Sequence, residues 1–83
     1  MDEITELLIN KIIELELPLE VIGVRELNEI YQATLVGGNN GVHNWPQYLT
    51  DLAKLMGNID CWLITLKNDV LNDLHYATIG IRK

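Results

Sequence analysis

The run Gly37-Gly38-Asn39-Asn40-Gly41 divides the chain nearly in half. Gly and Asn adopt positive φ at little cost, so this segment ends the element before it and reverses the chain. Leu17-Pro18 is an earlier break, because Pro18 lacks an amide donor and restricts the residue before it. Gly57-Asn58 is a later one. These breaks divide the chain into four stretches.

Apolar residues in each stretch recur at helical spacing. Ile4, Leu7, Leu8, Ile12 and Leu15 share one face of the first. Val24, Leu27, Ile30, Tyr31, Thr34 and Leu35 do so in the second. Trp45, Leu49, Leu52, Ala53 and Met56 form a stripe in the third, and Ile59, Trp62, Leu63, Leu66, Val70 and Leu74 in the fourth. The periodicity predicts a mainly α, compact four-helix domain, with helices at about 2–16, 19–36, 45–56 and 59–76 and an extended tail. With 83 residues there is one core, so residues 1–83 read as a single domain.

The alternative is a small α+β fold. Trp62-Leu63-Ile64-Thr65-Leu66 and Tyr76-Ala77-Thr78-Ile79-Gly80-Ile81 have strand propensity, and Asn68-Asp69 suits a turn between them. That reading makes a C-terminal β-hairpin, paired with a strand at Leu19–Val24.

Composition narrows the function classes. The chain is 48% hydrophobic and 22% charged, which is globular rather than disordered. Its formal charge is −6, and all of it falls in residues 1–30, where eight acids meet two bases. A negative surface argues against nucleic acid or an anionic membrane as partner. The sequence contains no Ser and a single Cys, which excludes a serine nucleophile and an internal disulfide. An acidic opening, Met1-Asp2-Glu3, and apolar runs well short of ~20 residues suggest a cytoplasmic protein with no membrane span.

No motif for catalysis stands out. Asp60, Cys61, His43 and His75 show no CxxC, HxxxH or HxxE spacing, so no metal or cofactor is expected, and no enzyme. Glu14, Glu16, Glu20, Glu26 and Glu29 make an acidic segment that could dock a basic partner surface. Ile9 and Ile13 point away from the main stripe of the first helix, which suggests self-association as a homodimer. Asn39, Asn40 and His43 are candidates for loop contact.

The expected function is therefore a non-catalytic protein-interaction module of inhibitor, adaptor or immunity type. Small phage and mobile-element proteins that block other factors have this size and charge. The alternative is a small DNA-binding transcription regulator, with residues 25–56 read as helix–turn–helix and Lys54 as the one base on its second helix.

Overall fold

A computed structural model describes residues 3–37, 45–72 and 74–83. It contains two helices and four strands, not four helices. In chain order these are α1 (Glu3–Glu14), β1 (Glu20–Glu26), β2 (Ile30–Gly37), α2 (Trp45–Met56), β3 (Cys61–Asp69) and β4 (Leu74–Arg82). The predicted helices at 2–16 and 45–56 correspond to α1 and α2. Those at 19–36 and 59–76 are β-hairpins, so the domain is α+β.

The strands form one antiparallel sheet in the order β1-β2-β4-β3. The C-terminal hairpin joins the sheet through β4 on β2, not on the Leu19–Val24 segment as the α+β alternative supposed. β1 lies at the opposite edge. Each half of the chain is thus a helix followed by a hairpin, and the two halves meet at the central pair β2–β4. β1 holds in the first half the edge place that β3 holds in the second.

A common irregularity explains the misread periods. The β1–β2 register shifts between Val21 and Gly23, and the β3–β4 register shifts between Leu63 and Thr65. Ile22 and Ile64 are the extra residues of these bulges. A bulge turns the two-residue alternation of a strand into a spacing of three. Val21 and Val24 then share a face, and so do Leu63 and Leu66, at a separation that also fits a helix.

One face of the sheet carries both helices. Ala33 and Leu35 of β2 and Ala77, Ile79 and Ile81 of β4 pack with Leu8 and Ile12 of α1 and Tyr48, Leu52 and Leu55 of α2. The buried face of α2 is therefore turned from the predicted stripe. Tyr48, Asp51 and Leu55 are buried while Ala53 is exposed. Gln47 Nε2 donates to the Asp51 carboxylate at 2.9 Å, which satisfies one oxygen of that buried acid.

Two glycines permit close packing. Gly37 is the last residue of β2, where a Cβ would stand 2.7 Å from the Tyr48 ring. Its absence lets the Tyr48 hydroxyl reach the Leu35 carbonyl, to which it donates at 3.0 Å. On the helix-free face, Trp62 lies across Gly80, its ladder partner, where a Cβ would meet the indole at 2.5 Å. This is the cross-strand arrangement in which an aromatic ring covers an exposed glycine backbone. Among the described residues, no helix is long and apolar enough to cross a membrane.

Candidate functional site

The turn after α1 builds the first candidate surface. The Leu17 amide donates to the Ile12 carbonyl at 3.0 Å, and the Glu16 amide to the Ile13 carbonyl at 3.1 Å. This is a Schellman closure, in which the residue after the cap takes a left-handed conformation. Gly usually fills that place, but here it is Glu16, with φ 54°. Leu17 packs on the core, and Pro18 then sends the chain into β1.

This turn sets α1 against the free edge of β1 and leaves a groove between them. The groove encloses about 330 Å³ and is lined by Ile9, Ile12, Ile13, Leu19, Glu20 and Val21. Ile12 and Leu19 form its floor from the core, while Ile13 stands 68% exposed at its rim. Ile9 is half-buried. Thus the two residues singled out on the back of α1 line a groove on their own molecule.

The five predicted acids divide between the ends of β1. Glu20 lines the groove, whereas Glu14 and Glu16, at the end of α1 and in the turn after it, are not among its lining residues. Glu26 and Glu29 belong to the far end of β1 and its hairpin turn. Six strand residues at ~3.3 Å each put Glu26 about 20 Å from Glu20. Glu26 pairs with Lys83 at 3.2 Å, and the Glu29 carbonyl accepts from the Lys83 amide at 3.3 Å. Glu14 pairs with Lys11 at 3.0 Å, one turn back on an exposed helix surface, where such a pair is weak. Asn39, Asn40 and His43 lie outside the described residues.

The sequence stripes missed a second surface, the β3 edge. Leu63 and Leu66 face the helix side, yet they are 43% and 40% exposed. Their ladder partners on β4, Ile79 and Ala77, are 0% and 1% exposed. α2 reaches the start of β3, where Cys61 packs on the core, but leaves the middle of the strand uncovered. Trp62 and Ile64 are exposed as well, and Val70 and Leu71 continue the apolar surface into the turn. The signal was present as strand propensity in Trp62–Leu66, but helical spacing across the bulge competed with it.

Among the described residues, the titratable groups lie apart from one another or are tied up in local contacts. His75 is fully buried against the rings of Trp45 and Tyr48, with centroids 5.0 and 5.2 Å away. Its Nδ1 lies 3.1 Å from Asn68 Oδ1. Burial pushes the Tyr48 phenol well above its usual range. Burial, and then the charge of Asp60, push the Cys61 thiol up. Asn72, donating to the Asp69 carboxylate across the β3–β4 turn, holds that carboxyl below its usual range. Among the described residues, no three of His, Cys, Asp and Glu are grouped to hold a metal ion.

The helix–turn–helix reading of residues 25–56 lacks its first helix, since Ile30–Gly37 is a strand at the centre of the sheet. No protein-family model, curated protein or solved structure matches the chain.

Proposed function

We propose that this chain is a non-catalytic protein-interaction module that seats a basic, amphipathic segment of a partner protein in the groove between α1 and β1. The observation that carries this reading is the composition of that groove. Ile9, Ile12, Ile13, Leu19 and Val21 offer an apolar trough, Glu20 stands in its wall, and Glu14 and Glu16 add negative charge to the end of α1 and the turn that leads to β1. A segment with alternating aliphatic and Lys or Arg side chains matches both features. Apolar contact supplies affinity, and the acids steer the approach and select the charge. Glu16 adds support, because an acid holds a left-handed position that Gly would fill with less strain. A reducing, cytoplasmic setting suits the free Cys61.

The test is a titration of isotope-labelled protein with two synthetic peptides. One alternates Leu with Lys, and the other alternates Leu with Glu. Resonances of Ile9, Ile13 and Glu20 should shift with the basic peptide only, and less at higher salt. Ile13→Lys and Glu16→Lys should each weaken the effect. Equal response to both peptides, or shifts confined to other elements, would remove the reading.

A further inference from the structure

We infer that the β3 edge is a homodimer interface, pairing antiparallel with β3 of a second copy to make a continuous eight-stranded sheet. The inference does not draw on the groove, which lies at the opposite edge.

The two sheet edges differ in how they meet solvent. β1 is seven residues long and carries Glu20, Arg25 and Glu26, charges of the kind that discourage further pairing. β3 is nine residues long, and its middle, Trp62 to Leu66, carries no charge. Trp62, Leu63, Ile64 and Leu66 are each about two-fifths exposed. Together they expose roughly 300 Å² of apolar side chain per copy, divided between the two faces of the sheet, and an added strand covers part of it on each face. With the backbone edge of both copies included, the buried area reaches on the order of 1,000 Å², at the low end for a specific interface. That size fits a reversible dimer.

The occupant is a second copy because the strand is complementary to itself. A twofold axis normal to the sheet keeps both copies' helices on one side, so paired residues must share a face. In a regular strand this restricts pairing to residues an even number of positions apart. The Ile64 bulge shifts the alternation, so a residue before it shares a face with one an odd number of positions after it. Two registers of that kind centre near the bulge. One sets Leu63 against Leu66 of the second copy but opposes Asp60 to Asp69. The other places the axis between Leu63 and Ile64. It sets Cys61 opposite Leu66, Trp62 opposite Thr65 and Asp60 opposite Lys67 of the second copy, each twice by symmetry.

Charge decides between them. The second register turns both Asp60–Lys67 positions into cross-strand pairs of opposite sign, and the first brings two carboxylates together. Residues 60–67 hold one acid and one base, so this edge is neutral on a chain of net charge −6. Two acidic molecules meet there with the least local repulsion.

Sedimentation equilibrium between ~10 μM and ~1 mM tests the inference, a range that brackets the expected affinity. The mass should approach twice that of the chain. Asp60→Lys and Lys67→Asp, singly, should each raise the dissociation constant about tenfold or more, whereas the double variant should return to within about threefold of the parent. Ile64→Lys with Leu66→Lys should leave monomer, with the far-ultraviolet circular dichroism unchanged. A parent that stays monomeric at the highest concentration overturns the interface. So does a dimer that survives the edge lysines, or one that Ile13→Lys dissociates instead. A double charge swap that fails to restore pairing overturns the register.

Discussion

Glu16→Gly should stabilise the protein while weakening its proposed binding. The reasoning starts at φ 54°, where a side chain is crowded by the following carbonyl. For an L-residue with a Cβ that conformation costs about 1–2 kcal/mol. Gly removes the cost but brings extra freedom to the unfolded chain, worth about 0.5–1 kcal/mol against folding. Removing a carboxylate beside the negative end of α1 adds a small favourable term. The closing hydrogen bonds from Glu16 and Leu17 use main-chain amides, so both survive the substitution. The net gain is about 0.5–1 kcal/mol, or roughly 3–6 °C in Tm for a domain of this size. Urea unfolding and a thermal scan of the parent, Glu16→Gly and Glu16→Ala measure it. The Ala variant removes the charge and keeps the Cβ, so it should stay close to the parent. Glu16→Gly no more stable than Glu16→Ala would refute the strain argument. If Glu16 is retained for binding, the more stable Gly variant should bind the basic peptide less tightly. That outcome is the trade expected when a strained residue serves a surface rather than the fold.

Other substitutions test the packing and the pH dependence. Gly37→Ala should cost more than Gly80→Ala, about 2–3 against about 1 kcal/mol, because the two rings differ in freedom. Tyr48 is buried and its hydroxyl is tied to Leu35, so it cannot retreat from a new Cβ, whereas the half-exposed Trp62 can swing outward. Urea midpoints give the order, and equal costs would reject this account. Stability should also fall as pH rises past the usual thiol range. The unfolded chain releases the Cys61 proton there while the folded chain, with its raised pKa, still holds it. Tyr48 extends the decline at higher pH for the same reason. Cys61→Ala should flatten the first part of that slope, and an unchanged slope would assign it to other groups.

The sequence by itself determined the breaks and the two helices. Pro18, the Gly-rich run after Val36, and Gly57-Asn58 punctuate the chain by local backbone chemistry that needs no distant partner. The span of α2 from Trp45 to Met56 was legible between them for that reason. Position within the sheet was not legible. Ile22 and Ile64 each add one residue to an edge strand, and the added residue gives Val21 with Val24, and Leu63 with Leu66, the spacing of a helix. Propensity favoured strands there, but a periodicity count without a partner strand cannot tell a bulge from a turn of helix.

Tertiary structure also decided which side of α2 is buried, because the rim of Tyr48, Asp51 and Leu55 is set by what β2 and β4 present to it. It likewise brought Ile9, Ile13 and Glu20 to one groove and moved Glu26 and Glu29 to the other end of β1. The strand order had the largest effect on the candidate surfaces. An apolar strand is ordinary at the centre of a sheet and adhesive at its edge, since only the edge leaves backbone donors and acceptors beside uncovered side chains. The order β1-β2-β4-β3 puts Trp62–Leu66 at that edge, and strand order arises from pairing between distant segments, which local pattern does not encode.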